Sequence, residues 1–119
     1  MQKEIWKDIP DYEGLYQVSN YGRVKSLPRM IKKRKCVETI KKPTLSNKGY
    51  YRLPLYNNGK VKYFAIHRLV AELFIDNPYN KPTVDHIDRN RTNNNVSNLR
   101  WATYKEQLQN RCWFIISIE

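Results

Sequence analysis

Between Leu15 and Leu27 apolar and polar positions alternate loosely around the tripeptide Asn20, Tyr21, Gly22. Asn and Gly tolerate positive φ, so two short strands joined by a tight turn fit this stretch better than a helix. In the second strand Val24 faces inward and Arg23 and Lys25 outward. A second alternation runs through Tyr51, Leu53 and Leu55 and resumes at Val61, Tyr63 and Ala65, with Asn58 and Gly59 between them supplying a type I′ turn. Pro54 lacks an N–H, which makes its strand an edge or marks a bulge.

At His67 the period changes. Leu69, Val70, Leu73 and Phe74 form the stripe of a short helix over 67–75 that stops before Pro78, with His67 at its start satisfying a nearby backbone group. Thr83 to Ile87 reads as a strand, Asp88 to Asn95 as a loop of side chains that bond their own backbone, and Asn98 to Ala102 as a return strand. Thr103 to Glu106 is a T-x-x-E capping box, which starts a helix at Tyr104 that carries Gln107, Leu108 and Arg111. The expected architecture is α+β: a small basic antiparallel β region at 1–65, then a linking helix and a ββα unit within 66–112, then an apolar tail at 113–119.

Charge sharpens this outline. The 119 residues include 22 Lys and Arg against 11 Asp and Glu, a formal charge of +11. Between Arg23 and Arg52 stand eleven basic residues and only one acidic residue, Glu38. So concentrated a cation field is the footprint of a polyanion binder, because each neutralised phosphate releases condensed counterions. The simpler alternatives are a solvated face or, for Lys32 to Lys35, a nuclear-import signal. No run approaches the roughly 18 apolar residues that a membrane span needs, and the N-terminus has no signal-like apolar stretch, so a soluble protein of the cytoplasm is expected. Cys36 and Cys112 form no C-x-x-C pair, and a structural zinc would need both cysteines and both histidines at unsuitable spacings, so none is expected.

The ββα unit holds residues suited to cutting a phosphodiester, which takes a base for the attacking water and a cation for the developing charge. His86 is the plausible base at neutral pH. Asp85 offers a hard carboxylate to Mg²⁺ or Mn²⁺, and Gln107 an amide oxygen. Asn98, twelve positions beyond His86, is placed to hold the imidazole in its productive tautomer. Asp-His pairs and Asn-rich turns are common, and on composition alone a purely structural reading stays open.

These residues also follow a pattern. Asp85, His86, Ile87, Asp88, Asn90, Asn93, Asn94, Asn98, Leu99 and Trp101 fit D-H-x-D-x-N-x-x-N-N-x-x-x-N-L-x-W, which resembles the HNH endonucleases, in particular the phage and intron homing type. His67, Arg68, Leu69, Val70 and Ala71 resemble the helix leading into that motif. Trp6, Lys7, Asp8, Ile9, Tyr12, Glu13, Gly14, Tyr16, Val18, Ser19, Asn20, Gly22, Arg23, Val24 and Ser26 resemble the small NUMOD4-type β module that precedes it. The resemblance spans most of residues 4 to 110 and implies a ββα-metal site: His86 the general base, Asp85 a metal ligand, and Asn98 the asparagine that orients the histidine. One divalent ion, Mg²⁺ or Mn²⁺, is implied. The second ligand in this subtype is an asparagine at the position held here by Gln107, whose extra methylene shifts the donor by about 1 Å and points to reduced activity or altered metal preference. Relatives often continue into a helical DNA-binding module, and an ending at Glu119 points to poorer sequence specificity.

Duplex DNA is the implied partner, bound by a monomer with no protein partner evident. Arg23, Lys25, Arg29, Lys32, Lys33, Arg34 and Lys35 are the candidates to grip phosphates or read groove edges, and Arg68 and Arg100 to clamp the scissile phosphate. The leading expectation is a metal-dependent DNA endonuclease. The alternatives are a DNA-binding protein with weakened catalysis and an RNA-binding or ribosome-associated protein, which gives Asp85, His86 and Asn98 no role.

Overall fold

The computed structural model describes residues 2–108, the side chain of Ile31 aside; the expected tail at 113–119, with Arg111 and Cys112, lies outside the described residues. In chain order the elements are β1 (Trp6–Asp8), β2 (Tyr16–Ser19), β3 (Val24–Ser26), β4 (Arg29–Ile31), β5 (Arg34–Cys36), β6 (Thr39–Ile40), β7 (Thr44–Leu45), β8 (Tyr51–Asn57), β9 (Lys60–Ala65), α1 (Ile66–Phe74), β10 (Thr83–His86) and β11 (Leu99–Ala102). A last helix, α2, starts at Tyr104 and occupies 104–108 of the described residues. This is an α+β chain.

The first hairpin forms as its alternation predicts. Val18 pairs with Val24, and both are fully buried. Strands β1, β2, β3 and β6 make one antiparallel sheet in that order. Between β3 and β6 the chain leaves the sheet as a separate two-stranded hairpin, β4 with β5. Its tip, Lys32 and Lys33, has φ of 48° and 66°, the left-handed pair that a tight hairpin turn requires. Lysine is not a turn signal, and this hairpin has no sequence forecast.

The second hairpin, β8 with β9, turns at Asn58 and Gly59 with φ of 52° and 74°. Leu53 and Leu55 are buried as the alternation requires, but Val61 and Tyr63 are more than half exposed. The register explains the difference: Val61 stands opposite Tyr56, and Tyr63 opposite Pro54, so both share the outer face with Arg52. Pro54 sits in the central strand of the sheet β7-β8-β9, contrary to the edge expectation, yet β7 reaches only as far as Tyr51 and Arg52. Beside Pro54 the β7 side of the strand is open, and the missing N–H breaks no ladder bond there.

One core joins three of the four sheets to α1. Ile9 and Tyr12 between β1 and β2, Tyr16, Val18 and Val24 of the first sheet, Leu53 and Leu55 of β8, and Val84 and Leu99 of β10 and β11 all belong to a single buried cluster with Ile66, Leu69, Val70 and Ala71 of α1. Helix α1 has no side-chain N-cap, so its stability comes from this burial rather than from local signals. Its C-terminal end is held by Lys7 Nζ, which donates to the Leu73 carbonyl at 2.8 Å and lies 4.7 Å from the Phe74 ring centre. A cation there also suits the helix dipole. Trp101 Nε1 donates to the Ile75 carbonyl at 3.0 Å and fixes β11 against the same end. Among the described residues no helix is long and apolar enough to cross a membrane.

Leu53 is fully buried at the centre of this cluster. Leu53→Ala is expected to lower the unfolding free energy by about 3 kcal/mol, read as a lower urea midpoint at unchanged slope. A loss below about 1 kcal/mol would show that the three sheets do not share one core.

Candidate nuclease site

Strand β10 pairs antiparallel with β11, placing Asp85 opposite Arg100 and His86 opposite Leu99. The capping box then forms as read: Glu106 N donates to Thr103 Oγ1 at 3.1 Å, and Thr103 N to Glu106 Oε1 at 3.0 Å. The Thr103 N–H and then Lys81 hold the Glu106 carboxyl down at about 2. This start places Gln107 against β10, where its Nε2 donates to the Val84 carbonyl at 3.3 Å.

The loop between the strands is closed by amides. Asp88 N donates to Asn98 Oδ1 at 3.0 Å, and Asn98 Nδ2 returns to Asp88 Oδ1 at 2.9 Å and to the Asn93 carbonyl at 2.9 Å. Asn93 Nδ2 reaches the other Asp88 oxygen at 3.0 Å. These donors, Asn93 first and then the Asn90 N–H, hold the Asp88 carboxyl below its ordinary range. Arg89 takes φ 65° to start the turn.

An asparagine other than Asn98 meets the histidine ring. His86, 4% exposed, donates its Nε2–H to Asn94 Oδ1 at 2.8 Å, and Asn94 is equally buried. Both polar atoms of the Asn98 amide bind the loop, while Asn94 bonds the imidazole. An amide oxygen only accepts, so the bond selects the Nε2–H tautomer, whose proton-accepting nitrogen is Nδ1. Asn94 lay within the recognised pattern, but nothing in a run of asparagines tells which one meets the ring.

His67 differs from its forecast as well. Its ring does not bond a backbone group: Nδ1 is buried with no hydrogen-bond partner among the described residues. The ring instead lies between Tyr50 at 4.8 Å and His86 at 5.1 Å, centre to centre. Arg91 covers the Tyr50 ring at 5.0 Å. Burial first, then the charges of His86 and Arg68, push the His67 imidazole down from 6.5 to about 4.

Asp85 is 6% exposed, and its Oδ2 accepts from Arg100 Nε at 3.2 Å and Nη2 at 3.1 Å. Cross-strand pairing thus places Arg100, a candidate phosphate clamp, on the Asp85 carboxylate. Asp85 carries a carboxylate and Gln107 an amide oxygen, the donor types that a hard divalent ion retaining water takes, and the Gln107 nitrogen is turned to Val84. Among the described residues no group of three His, Cys, Asp or Glu side chains gathers as a fuller cage.

The other cations divide. Arg23 is ion-paired with Glu4 and lies over Trp6, while Lys25 meets Glu38 at 3.5 Å and the Trp6 ring at 4.4 Å. Arg29 Nη2 donates to Tyr16 Oη at 3.1 Å. Arg68 donates to the Pro82 carbonyl at 3.1 Å and meets Glu72 at 3.7 Å. Lys32, Lys33, Arg34 and Lys35 stand exposed on the β4–β5 hairpin with no ion pair to the described residues. Pairing absorbs charges that counting leaves free.

Residues 4–56 match the NUMOD4 motif and residues 64–109 the HNH endonuclease family. The chain is similar to the DNA endonuclease I-HmuI of Bacillus phage SP01, with 43% identity over 106 residues, 89% of this chain and 56% of that protein. It is also similar to the uncharacterized HNH endonuclease L245 of Acanthamoeba polyphaga mimivirus, 45% identical over 67 residues, 56% of this chain and 20% of that protein. The solved structure described as DNA binding and cleavage by the HNH homing endonuclease I-HmuI superposes with a TM-score of 0.76 at 43% identity, over 92% of this chain and 59% of that one. The chain thus spans little more than half the length of I-HmuI. HNH endonucleases are generally dependent on a divalent metal.

A histidine whose folded pKa is depressed to about 4 favours the neutral form, so its contribution to stability is complete above 6.5 and is lost as pH falls from there towards 4. Denaturation midpoints at about pH 7.5 and about pH 4.5 should therefore differ less in His67→Phe than in the parent protein. Equal differences would return the His67 ring to its ordinary range.

Proposed function

The chain is homologous to the HNH endonucleases, and from that premise we propose that it is a divalent-metal-dependent endonuclease of the homing type that hydrolyses phosphodiester bonds of duplex DNA. The observation that carries the reading is the buried His86–Asn94 bond at the end of β10, next in sequence to a buried carboxylate. His86 Nδ1 takes the proton of the attacking water, and Asn94 keeps the Nε2–H aimed away from it. Asp85 and Gln107 would hold the ion, Mg²⁺ or Mn²⁺, which when bound supplies neutralisation of charge on the phosphate and the leaving oxygen. Arg100 fixes the orientation of Asp85 through two donors. Asn98 acts one step removed, by closing the loop that carries Asn94.

Duplex DNA is gripped by Lys32, Lys33, Arg34 and Lys35, with Arg29 at the base of the same hairpin. Arg23, Lys25 and Arg68 shape the first sheet and the linking helix more than they contact phosphate, since each already has a partner. The protein acts as a monomer in the cytoplasm of a bacterial or phage-infected cell. A second reading, a DNA-binding protein with weakened catalysis, is favoured by one feature: Arg100 neutralises the carboxylate that an ion needs.

Supercoiled plasmid incubated with the protein and Mg²⁺ or Mn²⁺ separates the two. Relaxation that disappears in His86→Ala is the outcome expected for the nuclease; a gel shift without relaxation selects the binder. Replacing Lys32, Lys33, Arg34 and Lys35 together with Ala should weaken binding and reduce the slope of log affinity against log salt by roughly 3 to 4. An unchanged slope would place the phosphate contacts elsewhere.

A further inference from the structure

The turn between β2 and β3 belongs to the first module, yet it lies against the loop that carries Asn94. Gly22 has φ +86°, and a Cβ built on it would stand 2.7 Å from the Asn94 carbonyl oxygen, 2.8 Å from Asn94 Cβ and 2.9 Å from Asn94 C. Two of these atoms are backbone and the third is the root of the side chain, so none can swing aside. Next to this contact Val96 N donates to the Asn20 carbonyl at 2.8 Å. The turn itself is rigid: Ser19 and Asn20 are buried, Asn20 Oδ1 accepts from Ile5 N at 2.7 Å, and Asn20 Nδ2 donates to the Lys3 carbonyl at 2.9 Å. Gly22 N closes it on the Ser19 carbonyl at 3.0 Å.

We propose that Gly22 is a positioning residue for His86: the β2–β3 turn is a backstop that holds Asn94 in hydrogen-bond range of the imidazole, so the first module sets the tautomer of the histidine in the second. The inference rests on the reading of His86 as the base. Asn94 is pressed between a backbone with no side chain to yield and a ring packed on His67 and Tyr50. Any side chain at position 22 pushes the Asn94 backbone away from the turn or separates the two modules locally. In either case the 2.8 Å bond to His86 lengthens and the selection of Nε2–H weakens. Displacement of a reacting group by about 1 Å can cost up to a hundredfold in rate. The module that resembles a DNA grip is thereby a wall of the reaction centre.

The test reads the imidazole directly. In ¹⁵N-histidine-labelled full-length protein, without metal or DNA and at a pH where the rings are neutral, nitrogen shifts report which nitrogen of His86 carries the proton. The parent protein and Asn94→Asp, which keeps an acceptor, should show Nε2–H; Gly22→Ala and the near-isosteric Asn94→Leu should show a mixture or Nδ1–H. Gly59→Ala is the control for backbone strain, because Gly59 has φ +74° but nothing lies within 4 Å of its Cβ. It should leave both the tautomer and the nicking rate unchanged. In single-turnover nicking at saturating protein, Gly22→Ala and Asn94→Leu should be slower by about 10- to 100-fold with DNA affinity unaltered. Tautomers that stay Nε2–H in both variants overturn the proposal, as does an equal effect from Gly59→Ala. Should Gly22→Ala fail to fold, Asn94→Leu decides: a retained Nε2–H overturns the backstop, and a lost one supports it. Tautomers that move as expected in a protein that never nicks uphold the positioning geometry and reject only the nuclease reading.

Discussion

Helix α1 is nine residues long, lacks a side-chain cap, and is packed against sheets of both modules. Burial is what keeps it helical, and its burial is what makes the two modules one body. Val70 and Ala71 are fully covered, so neither module can shift without opening contacts made by the other. Everything at the candidate site inherits this constraint. The β10–β11 pair packs on the helix, the β2–β3 turn meets the loop between those strands, and Asn94 of that loop bonds the imidazole.

Much of this was legible in the sequence because the signals are local. Strands β2, β3, β8, β10 and β11 follow from period and turn residues, and α2 from four residues, Thr103 to Glu106. What escaped is set by contacts distant in sequence. Glu4, Glu38 and Asp85 neutralise Arg23, Lys25 and Arg100, and no count of charges along the chain foresees those pairings. The face of β9 depends on which residue of β8 stands opposite, so the alternation of Val61 and Tyr63 was readable while its direction was not. The hairpin tip at Lys32 and Lys33 takes a conformation that residue preference argues against, and only its flanking strands make it affordable.

Asn94 and Asn98 show the limit most clearly. Both are buried asparagines in one polar loop, and one-dimensional information treats them alike. Their roles separate because Asp88 faces Asn98 and the imidazole faces Asn94. Position 107 is a milder case: the capping box located it beside β10, but only the fold shows the Gln107 nitrogen turned to the Val84 carbonyl.

The loop at 88–98 is closed by short contacts of 2.7 to 3.0 Å, many of them between amides and one carboxylate, whereas the cations of the β4–β5 tip project into solvent. Dissolved ions screen the second kind of interaction strongly and the first hardly at all. Ionic strength therefore acts unevenly on this chain: salt screens the exposed cations of the hairpin while the amide contacts that close the loop persist.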